Sequence, residues 1–318
     1  MTRYVPKPQS LLKAPTGRAD MTEAPRLRSY LTKKALATAP LAPSEGIQGF
    51  ISEWDVFHSD YTTSALFPGI ANGVAASSRA RVAQQEDDAT VVSFTYDNIR
   101  TASRGFWEDR GIADPAEIRR TEARTPDVLE YWRTHPLVDC VGRERPLAGY
   151  GYLRRGNLED LTLALALFGW VGIGLCVLKR GVDDFTQAAL YDYSLYEKGS
   201  DYILWSEDYR GKHMGRVFVP AVGLDDEGNI LVVLWGRLIA ITPDYYAKRS
   251  DEAWVAVEPS IMADEATSPI RVKAFRQFWN RKDGIEEVPE ETAPAEEGSE
   301  DATVLRLLAD AVLEEASV

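Results

Sequence analysis

Residues 217–236 read VFVPAVGLDDEGNILVVLWG, and this stretch decides the fold class. Two apolar runs, residues 217–222 and 230–235, flank the polar residues 225–229. Short runs rich in valine and isoleucine, joined by a turn with aspartate, glycine and asparagine, are typical of a β-hairpin. The stretch therefore predicts two antiparallel strands in the second half of the chain.

More strands and several helices are predicted around this hairpin. The further strand candidates are residues 171–178, 237–241 and 253–257. The helix candidates are residues 67–84, 126–132 and 158–168. Asn157 is a candidate N-cap for the last of these helices, and Gly169 is a candidate residue to end it. These candidates predict a chain that contains both helices and strands.

Composition excludes several classes of partner and location. Hydrophobic residues make up 45% of the 318 residues, which is enough for a sizeable core, and the net charge is −13. An acidic surface is repelled by phosphates, so nucleic acid and anionic membranes are not expected to bind it. Two cysteines, Cys140 and Cys176, do not make a disulfide framework and suit a reducing compartment. No signal peptide and no membrane span are predicted, since glycines interrupt the most apolar stretch, residues 161–178.

The sequence predicts four regions. Residues 1–48 form a basic, proline-rich N-terminal arm, interpreted as a disordered leader or as an arm that wraps a neighbouring subunit. Residues 49–283 form the globular domain. Residues 284–301 are rich in glutamate and predict an acidic linker. Residues 302–318 carry an apolar face at helical spacing, which predicts a C-terminal helix docked on its own domain or on a partner.

No metal, phosphate or cofactor site is predicted. The three histidines, His58, His135 and His213, are far apart and lack metal-ligand spacing. The acidic turn at residues 225–229 lacks the closing glutamate of a calcium loop. The glycines near residue 172 lack the Lys-Ser/Thr pair of a phosphate loop.

Four blocks of sequence occur in an order typical of one known family. They are FHSDYTTSAL (residues 57–66), DVLEYWR (127–133), LFGWVGIGL (167–175) and VFVPAVGLD (217–225), the last followed by Leu234-Trp235-Gly236. Together they resemble papain-like cysteine peptidases of the type found in actinobacteria and their tailed phages. The resemblance covers about residues 50–262. It implies a papain-like α+β fold, in which a helical subdomain packs against a mostly antiparallel sheet that forms a half-barrel.

The resemblance also identifies where catalytic residues are expected, and each position holds a residue unable to fill the role. Ala65 stands in place of the nucleophilic cysteine, and Val217 in place of the histidine. Ser59 replaces an amide that helps form the oxyanion site, and Leu234 replaces a polar residue. A cysteine peptidase needs a thiolate at a helix start and an imidazole beside it. The resemblance thus implies a non-enzyme in which Ala65 begins a helix that faces Val217.

Three functions remain open at this point, besides a minor role in nucleic-acid binding that would be confined to the basic N-terminal arm. The first is a non-catalytic structural or adaptor protein, predicted to be a phage virion component in the capsid, connector, tail or baseplate. It would bind phage structural proteins through its N-terminal arm and C-terminal helix, in many symmetric copies, and it would be found in the virion or the bacterial cytoplasm. The second is an inhibitor or decoy that binds a host protein. The third is a hydrolase that uses relocated residues such as Ser64 and His213.

Overall fold

The computed structural model describes residues 24–37, 66–83, 90–118, 121, 123–178, 204–206, 212–234 and 237–284. Within these ranges the helices are α1 (Lys33–Leu36), α2 (Leu66–Ala83), α3 (Tyr96–Glu108), α4 (Pro115–Ile118), α5 (Thr125–Thr134), α6 (Leu158–Phe168), α7 (Pro243–Arg249) and α8 (Val272–Lys282). The strands are β1 (Leu137–Val138), β2 (Glu144–Arg145), β3 (Gly149–Tyr152), β4 (Val171–Leu178), β5 (Leu204–Trp205), β6 (His213–Leu224), β7 (Ile230–Leu234), β8 (Arg237–Ile241) and β9 (Ser250–Val257). Leu27–Tyr30 and Pro259–Met262 form 3₁₀ turns.

One seven-stranded sheet holds most of the strands. Its order is β3-β9-β4-β6-β7-β8-β5, and β1 pairs with β2 separately. Every neighbouring pair in the large sheet is antiparallel except β5 with β8. The predicted α+β class with a mostly antiparallel sheet is confirmed.

The hairpin predicted from residues 217–236 is present as β6 and β7. Asp225 organises its turn, because its Oδ1 accepts hydrogen bonds from the backbone N–H of Asn229 at 2.7 Å and of Glu227 at 3.0 Å. Gly228 has a φ of 79°, which suits glycine in a tight turn. The carboxylate therefore serves the local turn.

The boundaries of α6 agree with the prediction residue by residue. The Asn157 side chain accepts a hydrogen bond from the backbone N–H of Asp160 at 2.7 Å and caps the helix. Gly169 follows the last turn in the left-handed conformation, with a φ of 79°. Strand β4 then begins at Val171, also as predicted.

The chain divides into two compact units, residues 1–272 and 273–318. The first unit contains the whole seven-stranded sheet. In the second, the Trp279 ring makes edge-to-face contacts with Phe275 and Phe278, and Lys282 Nζ lies 4.7 Å from the centre of a Trp279 ring. The predicted linker after Gly284 and the predicted helix at 302–318 lie outside the described residues.

Among the described residues, none of the helices combines the length and the hydropathy that crossing a membrane requires.

Candidate functional site

The first turn of α2 lies against β6. Leu66 and Phe67, the first residues of α2, are each 1% exposed. A Cβ built on Gly69 would lie 2.7 Å from Cδ1 of Phe218, so the helix backbone touches that ring. Phe218 directly follows Val217 in β6, and successive side chains of a strand point to opposite faces. Helix α2 therefore packs on the face of Phe218, and the side chain of Val217 points to the other face.

Two of the four positions identified by the resemblance lie outside the described residues, namely Ser59 and Ala65. The other two are buried and apolar. Val217 and Leu234 are each 1% exposed. Val217 lies opposite Leu175 of β4. A valine and a leucine have no group that can bind or release a proton, so these two positions cannot supply an acid or a base.

Only one of the two candidates for a relocated hydrolase is among the described residues. Ser64 lies outside them, and His213 begins β6 opposite Leu178. His135 has another environment: its ring stacks on Tyr131, with centroids 4.4 Å apart, and its Nε2 lies 3.6 Å from an oxygen of Asp109. The pairing of Ser64 with His213 stays a prediction.

Glycines allow α2 and the sheet to approach each other closely. A Cβ on Gly172 of β4 would lie 2.3 Å from Cζ of Phe218, whose ring also touches Gly69. One helical turn after Gly69, a Cβ on Gly73 would lie 2.4 Å from Cε3 of Trp170. Real Cβ atoms do not approach ring carbons so closely, so each glycine makes room for an aromatic ring. Close packing against Phe218 therefore explains why residue 172 is a glycine.

A buried polar cluster lies on the same face of the sheet as Phe218. Glu252 of β9 and Phe218 of β6 both lie opposite Gly174 of β4, which places them on one face. Thr125 Oγ1 donates a hydrogen bond to Glu252 Oε1 at 2.7 Å, and Trp254 Nε1 donates one to Oε2 at 3.0 Å. Glu252 is only 8% exposed. Both carboxylate oxygens thus have a donor.

Arg216 joins this cluster from β6. Its guanidinium pairs with the Asp251 carboxylate, where Nη2 lies 2.5 Å from Oδ1, and Nη2 also lies 3.6 Å from Glu252 Oε1. Burial lowers the pKa of Arg216, but the hydrogen bond to Asp251 and the charge of Glu252 outweigh it and raise the pKa above its usual value. Arg216 therefore stays charged and balances the acids beside it. We call Thr125, Arg216, Asp251, Glu252 and Trp254 the polar cluster.

Burial raises the pKa of Glu252, while the hydrogen bond from Thr125, the charge of Arg216 and the hydrogen bond from Trp254 lower it. Burial has the largest effect, and the pKa lies above the usual value. A hydroxyl beside a carboxylate is also the arrangement of a nucleophile and its base. Thr125, however, is 3% exposed and its proton is directed at Glu252. The cluster is best described as a satisfied polar network inside the fold.

The sequence predicted nothing at this cluster. Thr125 and Glu252 are 127 residues apart, and no local pattern links them. The predicted strand at 253–257 began one residue too late to include Glu252. The available signal was a charged residue next to an apolar run. A strand that extends through such a residue places its charge inside the sheet.

The two cysteines differ from each other. Cys140 is exposed, and its Sγ lies 2.9 Å from Oγ of Ser93. Cys176 is half-buried on β4 opposite Arg216, and burial raises the pKa of its thiol, as does the charge of Asp251. A raised pKa disfavours the thiolate that a nucleophilic cysteine needs. Among the described residues, no three His, Cys, Asp or Glu side chains group in a way that could hold a metal ion.

Comparisons with known proteins support the fold. No protein-family model and no curated protein matches the sequence. Among solved structures, proCathepsin B S9 from Trypanosoma congolense is similar with a TM-score of 0.51 and 11% identity, over 79% of this chain and 87% of that one. Xylellain, a cysteine protease from Xylella fastidiosa, has a TM-score of 0.48 and 12% identity, over 81% and 99%. Procathepsin L2 proteinase from Tenebrio molitor larval midgut has a TM-score of 0.47 and 12% identity, over 78% and 79%.

At an identity of 11%, the similarity to proCathepsin B S9 shows the fold alone. The similarity to proCathepsin B S9 and the sheet topology show a papain-like α+β fold, with a helical part and a mostly antiparallel seven-stranded sheet, and the predicted fold is confirmed.

Proposed function

We propose that this papain-like chain is a non-catalytic structural or adaptor protein. The observation that carries the proposal is the burial of Val217 and Leu234, each 1% exposed, where the resemblance expects a histidine and its polar partner. A papain-like mechanism moves a proton from a thiol to an imidazole that a third polar group orients. Neither aliphatic side chain can take such a part.

The helix start supports the same proposal. A helix N-terminus favours negative charge and lowers the pKa of a thiol placed there. Here α2 begins at Leu66, and the residue before it is Ala65, whose methyl group cannot attack a carbonyl. The proposal therefore rests on several positions that lack reactive groups, and a single misaligned residue does not overturn it.

We propose further that the protein is a component of a phage particle, at the capsid, connector, tail or baseplate. Two observations favour assembly. The family that the sequence resembles occurs in tailed phages, and the terminal regions have opposite charge, with a basic arm at residues 1–48 and an acidic stretch at 284–301. Opposite charges on one chain suit ordered contacts between copies or with neighbouring structural proteins.

The first experiment measures the native mass of the protein from its natural source, and mass spectrometry identifies the chains that copurify. We expect a large complex with phage structural proteins in fixed ratios. A one-to-one complex with a host protein would support the inhibitor or decoy instead. A lone monomer would contradict the virion component.

The second experiment tests catalysis directly. The purified protein is incubated with denatured protein substrates and a panel of fluorogenic peptides. We expect no hydrolysis above the rate without protein. Hydrolysis that Ser64→Ala or His213→Ala abolishes would overturn the proposal and establish the relocated hydrolase.

A further inference from the structure

Part of the predicted N-terminal arm packs on its own chain. Residues 24–37 are here called the strap, and its residues 25–27 lie beside β3, the first strand in the order of the large sheet. The backbone N–H of Tyr152 donates a hydrogen bond to the carbonyl of Pro25 at 3.1 Å, and Arg26 forms a parallel bridge with Tyr152. Leu27 is 1% exposed. The strap thus contributes to the core as well as to the sheet edge.

The strap is also held beyond its 3₁₀ turn, by residues 269–271. Arg271 N–H donates to the carbonyl of Tyr30 at 2.7 Å, and Thr32 N–H donates to the carbonyl of Pro269 at 2.9 Å. Leu31 forms an antiparallel bridge with Ile270 between these two bonds. The strap therefore connects the edge of the sheet to a second, separate segment.

One buried carboxylate holds the middle of the strap. Arg28 Nη1 donates to Asp160 Oδ1 at 2.7 Å, and Nη2 donates to Glu159 at 3.0 Å. Arg154 Nε donates to the other Asp160 oxygen at 2.9 Å. The Asp160 side chain is only 2% exposed. Burial raises the pKa of Asp160, but the hydrogen bonds from Arg154 and Arg28 outweigh it and lower the pKa below the usual value. This carboxylate stays charged, and a buried charge that loses a partner is costly.

Strand β3 has no protection of its own against pairing. Its sequence, Gly149–Tyr152, is GYGY, without the lysine, glutamate or proline that usually blocks an exposed edge. The strap supplies that block. Pro25 accepts from Tyr152 but has no N–H to donate, and the 3₁₀ turn at Leu27–Tyr30 ends the extended backbone after one bridge. The strap thus pairs with the edge at Tyr152, and its backbone does not continue there as a further strand.

We propose that the strap is an intramolecular cap that keeps β3 from pairing with β3 of a second copy of this chain, and that the ion pair of Arg28 with Asp160 is its latch. When the latch opens, two copies associate edge to edge through their β3 strands. This proposal does not depend on whether the protein is an enzyme.

The test opens the latch with Arg28→Ala. The matched control is Arg104→Ala, which removes an arginine that is 63% exposed and bonded to Glu108 on α3. Amide hydrogen exchange at residue resolution follows Tyr152, whose N–H bonds to the strap. Leu153, whose N–H bonds to Ala253 inside the sheet, serves as an internal reference. We expect Tyr152 to exchange at least about tenfold faster in Arg28→Ala, with Leu153 and the control variant unchanged.

The same variants are then compared by light scattering over a range of concentrations. We expect Arg28→Ala to associate more than the wild type and more than Arg104→Ala at every concentration. Faster exchange at Tyr152 without added association would overturn the cap, and unchanged exchange would overturn the latch.

A reversible staple separates the strap from other causes of association. A Cβ on Gly151 would lie 3.1 Å from Cβ of Leu27, slightly closer than the about 3.5–4.5 Å of a disulfide. Leu27→Cys with Gly151→Cys is added to Arg28→Ala, and exposed Cys140 is replaced by alanine throughout. Oxidation should return the average mass measured by light scattering to the wild-type value, and reduction should raise that mass again. Association that persists in the oxidised protein would mean that another surface is responsible, which contradicts the proposal. The oxidised form also shows that the variant chain folds.

Discussion

Val217 and Arg216 are neighbours on β6 with opposite surroundings. Successive side chains of a strand point to opposite faces, so Val217 lies on the face of Leu175, and Arg216 on the face of Cys176. The face of Val217 is apolar where the resemblance expects a catalytic base. The face of Arg216 carries the polar cluster, where the sequence predicted nothing. Buried charge is therefore a poor guide to catalysis here, because the charged residues are paired with one another and with hydrogen-bond donors.

Breaking the polar cluster should have the largest effect on stability. Arg216→Ala leaves Asp251 and Glu252 without their countercharge, and removal of one partner from a buried ion pair costs about 3–5 kcal/mol. The cost should fall toward the lower end, because the side chains of Arg216, Asp251 and Glu252 are 12%, 22% and 11% exposed. Urea unfolding measures the change. Arg104→Ala should lie within about 0.5 kcal/mol of the wild type, and a similarly small loss in Arg216→Ala would show that the pairing contributes little.

Placing a catalytic residue on the apolar face should harm the fold without creating activity. In Val217→His the larger, polar ring replaces a side chain that is 1% exposed, at a cost of about 1–3 kcal/mol. The control is Val138→His, at a valine that is 41% exposed, where the change should be within about 0.5 kcal/mol. Equal stability of the two variants would mean that Val217 faces a space open to water. Peptide hydrolysis by Val217→His would contradict the proposal that the chain has no working nucleophile.

Filling the contact between α2 and the sheet should have a smaller effect. Gly69→Ala places a methyl group against Phe218, and overpacking costs about 1–3 kcal/mol. Alanine favours a helix over glycine by about 0.5–1 kcal/mol, so the net loss should be near 1 kcal/mol. Thermal unfolding of a double-mutant cycle with Phe218→Leu tests the cause. If the smaller side chain at 218 does not reduce the loss, the ring is not the obstacle.

The smallest expected effect on the free energy of unfolding is confined to a range of pH. Because the pKa of Glu252 in the folded chain is above its ordinary value of 4.5, the folded chain binds more protons than the unfolded chain between the two values. The Glu252 contribution to the free energy of unfolding should therefore fall as pH rises through that window. Asp160 has a lowered pKa and acts in the opposite sense, since its stabilisation is lost as pH falls below its ordinary value of 3.8.

Glu252→Gln tests this sign, because glutamine does not titrate. Urea unfolding is measured for the variant and the wild type at several pH values from 4 upward. The variant should gain stability relative to the wild type as pH rises. A constant difference over the whole range would show that Glu252 has an ordinary pKa.

Local signals predicted a large part of the fold. The bounds of α6 and β4 follow from Asn157, Gly169 and an apolar run, all adjacent in sequence. Helix α3 was missed although Thr95 and Asn98 form a reciprocal cap at its start. The usual capping box has glutamate or glutamine three residues after the N-cap. Asn98 occupies that position here, so the sequence did not match the usual pattern.

The candidate site was predictable only in part, because only some of its features depend on local sequence. The identities of Ala65 and Val217 come directly from the sequence, and their lack of reactive groups needs no structure. The burial of Val217 and the closeness of α2 to β6 depend on contacts between segments that are far apart in the chain.

The sequence by itself determined elements such as α6, β4 and the hairpin of β6 and β7, because caps, glycines and apolar periodicity act over a few residues. It also determined that alanine, valine and leucine stand where the resemblance places catalytic groups. Only the tertiary structure decided that Thr125 meets Glu252 and that Arg28 meets Asp160, because these pairs are 127 and 132 residues apart. A charged side chain carries no local sign of the partner that will neutralise it; that partner is fixed when the sheet and helices pack.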